Sequence, residues 1–211
     1  MNYIQAIIVV VGDMNPAIYS PAWLRRYRIA EEAEIAASEN ENKGNLVIAG
    51  AVDLAQIHCK SFMLGCERER FSCTVQDPQK FELLEEVVSR IFLQLKHTPV
   101  RAVGINFHAD LPMQPDRPDA ALRELFAARP DRLDTLFPEG WGLTAKVTSR
   151  GRWPRHQVTL SRQEGAVRLA SNFHYEGDQL SSGEHVQGLV QERFGADRVA
   201  FERFAQELFQ A

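Results

Sequence analysis

The chain has 211 residues, 45% hydrophobic and 25% charged, which allows a sizeable core and excludes a disordered or collagen-like protein. A formal charge of −4 and a pI near 5.9 give no whole-molecule attraction to nucleic acid or anionic membrane. No apolar run approaches the roughly 20 residues needed to cross a bilayer, so no membrane association is expected.

The opening MNYIQAIIVVVGDMNP lacks a positive n-region and a small-residue cleavage site, and its β-branched run at 4–11 predicts a buried strand, not a signal peptide. The loop GDMNPAIYSPAWL follows, carrying Met14, Ile18, Tyr19 and Trp23. Methionine and aromatics in a loop are common interface anchors. Ser20-Pro21 suits a helix start, with Trp23, Tyr27 and Ala30 along one face. EEAEIAASENENKGN is acidic and ends in a turn cluster. Then NLVIAG, DLAQIHCK, SFMLGC and RFSCTVQ predict strands; in the last, Phe71, Cys73 and Val75 alternate with Ser72, Thr74 and Gln76. DPQKFELLEEVVSRIFLQLKH predicts a long helix burying Phe81, Leu84, Val88, Ile91 and Leu95, with Glu85 on its exposed side.

A second strand, VRAVGINFHADL, leads through MQPDRP into the helix DAALRELFAAR. GLTAKVTS, HQVTLS and AVRLASNFHYE predict three more strands, separated by the turns RGRWPR and RQEG. The chain closes with two helical stretches, EHVQGLVQERF and RVAFERFAQELF, interrupted at Gly195. Cys59, Cys66 and Cys73 are an odd number spaced C-x6-C-x6-C. That fits neither a disulfide framework nor a structural zinc site, so free thiols in a reducing, cytoplasmic compartment are expected. No cofactor is implied.

Each half therefore reads β-α-β-β-β-α, with boundaries near 1–97 and 98–211 and no Pro/Gly-rich linker between them. The expectation is a single α+β domain over 1–211, pseudo-symmetric, with a curved antiparallel sheet and helices on one face. This order of elements resembles the duplicated saddle of TATA-binding-protein-like folds, a resemblance of topology that confers no function. The run ERERFSCTV, the long helix and PVRAVGINF (roughly residues 55–110) are similar to a sporadically distributed family of uncharacterised bacterial proteins. That resemblance implies a bacterial origin and supplies no activity.

Alternation then assigns faces. In NFHAD, Phe107 points to the core while Asn106, His108 and Asp110 share the open face. In AVRLASNFHYE, Phe173 points inward and Arg168, Asn172, His174 and Glu176 point outward. The two Asn-Phe-His-x-acid stretches are candidates for an acid–base pair or a metal site if they converge. RGRWPRH offers Arg152, Trp153 and Arg155 for phosphate contact and base stacking.

No P-loop, dinucleotide fingerprint, nucleophile elbow or H-E-x-x-H occurs, which turns the reading away from an enzyme. The expected function is a non-catalytic interaction or assembly module that binds a protein partner, or itself, through the polar sheet face and the apolar loop. Nucleic-acid binding by the open face and the Arg-Trp turn is the second expectation. A site built from the two Asn-Phe-His stretches is the third.

Overall fold

The computed structural model describes residues 1–35, 53–114, 117–126, 144–148 and 154–208. Period-two burial sets the strands. In β1 (Asn2–Gly12), Ala6, Ile8 and Val10 are fully buried while Gln5, Ile7 and Val9 are only half-buried. The helix α1 (Pro21–Arg26) precedes β2 (Leu54–His58), β3 (Met63–Glu67), β4 (Arg70–Val75) and the long helix α2 (Phe81–Gln94). The second half runs β5 (Val100–Pro112), α3 (Arg117–Phe126), β6 (Thr144–Thr148), β7 (Arg155–Gln163), β8 (Ala166–Glu176) and α4 (Gly183–Glu207).

The strands form one curved, eight-stranded antiparallel sheet in the order β2-β3-β4-β1-β5-β8-β7-β6. β1 and β5 are the central pair, with Ala6 opposite Phe107, Ile8 opposite Ile105 and Val10 opposite Val103. Each half adds its remaining strands outward from that seam. A register shift between Tyr3 and Gln5 turns Tyr3 to the core side, where its ring meets Phe81 edge-on at 5.1 Å.

One hydrophobic core joins both halves. Among the described residues the helices lie on one side of the sheet. Leu24 of α1, the apolar stripe of α2, Leu122 of α3, and Val186, Val190, Phe194 and Phe201 of α4 all enter that core. Phe107 is its hub. Its ring lies 5.5 Å from Phe194, 5.6 Å from Phe201, 6.4 Å from Phe173 and 6.5 Å from Phe81.

The α2 stripe is Phe81, Leu84, Val87, Val88, Ile91 and Phe92, with Leu95 half-buried at its end. Glu85 is half-buried rather than exposed, and burial and then the charge of Glu82 raise its carboxyl pKa.

The connection from α2 to β5 is clamped, not flexible. A side chain at Gly12 would meet Pro99 O at 2.2 Å, and one at Gly183 would meet Leu95 O at 2.2 Å. Asp13 N donates to Pro99 O, and Gly183 N to Thr98 O, at 2.9 and 3.0 Å.

Several expectations need correction. Two of the loop's expected anchors are buried, Met14 and Tyr19 being only 7% and 6% exposed, while Ile18 and Trp23 are half-buried. The 3-10 turn Pro16–Ile18, capped by the Asn15 side chain, folds Tyr19 back onto Phe71, with ring centroids 5.6 Å apart. Tyr27 caps α1 and keeps the expected face, its ring 5.3 Å from Trp23, but Arg28 then takes a left-handed φ of 51°, so Ala30 does not continue it. α4 runs unbroken through Gly195, because Phe194, Asp197 and Phe201 pack on either side and outweigh the roughly 1 kcal/mol glycine penalty. The segment NLVIAG and the middle of the acidic stretch lie outside the described residues.

Ile91 is fully buried between α2 and the sheet. Ile91→Ala should therefore cost about 2–5 kcal/mol in a urea or guanidinium unfolding curve.

Candidate functional site

The face of the sheet away from the helices carries the residues singled out by alternation. Along β5 it presents Gly104, Asn106, His108 and Asp110; along β8, Arg168, Ala170, Asn172, His174 and Glu176. The register decides how the two Asn-Phe-His stretches meet. Asn106 is opposite Asn172, Ile105 opposite Phe173, and Phe107 opposite Ser171.

The antiparallel register sends the two imidazoles in opposite directions. His174 faces Gly104, while His108 faces Ala170, four residues further along β5. At about 3.3 Å per residue the rings lie on the order of 13 Å apart along the strand. One proton or one metal ion cannot bridge them. Among the described residues no group of three or more His, Cys, Asp and Glu is placed to hold a metal ion. The shared phenylalanines explain the similarity of the stretches: Phe107 and Phe173 both belong to the core, in an edge-to-face pair.

The open-face charges of β5 and β8 have lateral partners. Arg168 grips Asp110 through two parallel hydrogen bonds, Nε to Oδ1 at 2.9 Å and a terminal nitrogen to Oδ2 at 3.0 Å. Glu176 accepts from Arg155 and, at 3.0 Å, pairs with His174 Nε2. Those partners, His174 first and Arg155 second, hold the Glu176 carboxyl below its usual range. His108 accepts from Gln5 Nε2 at 3.1 Å through Nδ1. Burial, and then the charge of Arg168, lower its pKa from the ordinary 6.5.

Asn106 Nδ2 donates to Ile7 O at 3.3 Å. Asn172 Oδ1 is buried with no hydrogen-bond partner. Beside these polar groups β1 contributes the half-buried Ile7, Val9 and Val11, so the middle of the face is an apolar strip flanked by Ser72, Thr74 and Asn106. Arg155 is at the start of β7 on this face, whereas Arg152 and Trp153 lie outside the described residues.

A second arrangement has no signal in the sequence. The tight turn between β2 and β3 closes with Cys59 N donating to Phe62 O at 2.8 Å. Glu34 holds it from outside the sheet, accepting from Ser61 N at 2.8 Å and from Ser61 Oγ at 2.7 Å. Lys80 Nζ donates to Ser61 Oγ at 2.5 Å and lies 3.9 Å from the Glu34 carboxylate. The Ser61 hydroxyl thus gives its proton to Glu34 and accepts from Lys80, which fixes the turn. Burial, and then Glu34, push the neighbouring Cys59 thiol up to about 12, so it remains protonated at neutral pH. Glu34, Ser61 and Lys80 are far apart in sequence, and only the fold collects them.

The buried polar groups at the back of the sheet are structural. Tyr175 donates to Asp197 at 2.6 Å, and Arg193 donates to both. Burial pushes the Asp197 carboxyl up to about 6, against the opposing pull of Tyr175 and Arg193. His156 on β7 stacks on Phe173 at 4.1 Å and bonds Ser171 at 2.5 Å, so it points to the core side.

No family model matches the chain, and no curated protein does. No described helix is long and apolar enough to cross a membrane.

The environment of His108 fixes the sign of its titration. The folded protein resists protonating it, so this site weakens the fold only as pH falls below 6.5. NMR titration should find its midpoint below 6.5 in the parent protein. In Arg168→Gln the midpoint should rise but stay below 6.5, because burial remains when the cationic neighbour is gone. A parent midpoint at or above 6.5 would overturn this description of the face.

Proposed function

We propose that the protein is a non-catalytic interaction module whose open sheet face docks on a protein partner. The observation that supports it most is the one-sided architecture. All the described helices join one core, and the opposite face offers an apolar strip at β1 beside asparagine, serine and threonine side chains. Such a surface favours a partner that meets it by shape and hydrogen bonding. The buried Met14 and Tyr19 take no part, so the docking surface is the sheet face alone.

The nucleic-acid alternative draws less support, since Arg168 and Arg155 are already engaged by Asp110 and Glu176. A third reading, one shared site for His108 and His174, draws the least support, since the register sets the two residues four positions apart along β5. The matching order of elements and of strand pairing in the two halves supports an internal duplication as the origin of the sheet. Three free cysteines, two of them buried, fit the reducing cytoplasm of a bacterial cell.

Val9 is central to the strip, opposite Ser72 and Gly104. Val9→Arg should leave the fold intact and abolish the interaction. The measurement is light scattering after size exclusion across a concentration series, paired with affinity capture from the native lysate by parent and variant. A parent that stays monomeric and captures nothing that the variant loses would overturn the proposal. Salt-sensitive oligonucleotide binding at ~50 mM salt would favour the nucleic-acid alternative instead.

A further inference from the structure

At the β2 edge of the sheet, the Ser61 turn borders a cavity of about 440 Å³ that the docking reading does not use. That volume lies in the range of small-molecule pockets. Its walls combine an apolar portion, Phe62 and Met63, with the cationic side chains of Lys60 and Lys80 and the exposed imidazole of His58. Lys80 has three N–H donors. One is given to Ser61 Oγ, and Glu34 sits 3.9 Å away, beyond a hydrogen bond, so donor capacity remains on the cavity side. Lys60 makes no ion pair among the described residues, although its backbone N–H is held by Glu34 O at 3.2 Å. Two carboxylates stand nearby with their hydrogen bonds directed elsewhere, Glu34 to Ser61 and Asp77 to the Gln79 N–H at 3.0 Å, which leaves Lys60 as the cation whose charge they do not engage.

We propose that this cavity is a binding site for a small organic anion, whose carboxylate or phosphate is held by Lys80, Lys60 and His58 and whose apolar body rests on Phe62 and Met63. The site adjoins the docking surface at Thr74, but Val9 does not line it.

The test is an NMR titration of the full chain with inorganic phosphate and, separately, with acetate, at ionic strength held constant with chloride. Saturable shifts confined to residues 58–63 and 74–80 are expected, and whichever anion saturates at lower concentration identifies the headgroup. Lys80→Gln should weaken binding about tenfold, the loss of one charge-assisted hydrogen bond. Lys60→Gln, exposed and outside the Ser61 network, should weaken it about threefold. Val9→Arg should bind as the parent does, which separates this site from the sheet-face proposal. Thermal melts check that the lysine variants are folded. Absence of a saturable shift with both anions, or parent-like affinity in the Lys60→Gln/Lys80→Gln double variant, would overturn the proposal.

Discussion

The side chain of Phe107 is the constraint around which the rest is arranged. It sits on the central strand β5, opposite Ala6 of β1, and its ring touches aromatic rings from α2, α4 and β8. A small residue at Ala6 leaves room for the ring where the two halves are stitched together. With that ring buried, both long helices lie on its side of the sheet, and no described helix lies on the other. α4 is then fastened at two points by strand tyrosines. Tyr175 of β8 donates to Asp197, and Tyr3 of β1 donates to Glu202 at 2.7 Å. In each case an arginine one turn earlier on α4, Arg193 or Arg198, pairs with the acid. At the buried Asp197 this satisfaction matters more than its net energy, since an unpaired acid behind the sheet would be costly.

The open face follows from that one-sided core, and along β5 and β8 its charges pair locally. Asp110 answers Arg168, and Glu176 answers Arg155 and His174. Lateral pairs of this kind keep the surface polar without creating a field of one sign. They also leave the apolar strip of β1 as the place where water is most easily displaced. The cavity beside Lys80 differs in character, with Lys60, Lys80 and Asp77 gathered at one edge of the sheet.

Local patterning made much of this legible. The alternation in RFSCTV and NFHAD gave the correct faces for Phe71, Cys73, Phe107, Asn106 and His108, and three- and four-residue spacing located the α2 stripe. These features depend only on neighbours in the chain. What escaped depends on partners distant in sequence. Met14 and Tyr19 look like loop anchors until Phe71 is seen beneath Tyr19. Gly195 looks like a break until the packing of Phe194 and Phe201 on either side of it is counted. The relation of His108 to His174 required the register, which slides in two-residue steps without disturbing either strand's alternation. The Glu34–Ser61–Lys80 network had no periodicity to reveal it.

Native-state hydrogen exchange along a denaturant series tests the central claim, that the β1–β5 seam makes both halves one cooperative unit. The amides of residues 6–10 and 103–107 should exchange only through global unfolding, with one shared free energy and one shared denaturant dependence, and β4 and β8 should converge on the same line. Two separate lines, one for β1–β4 and another for β5–β8, would contradict it.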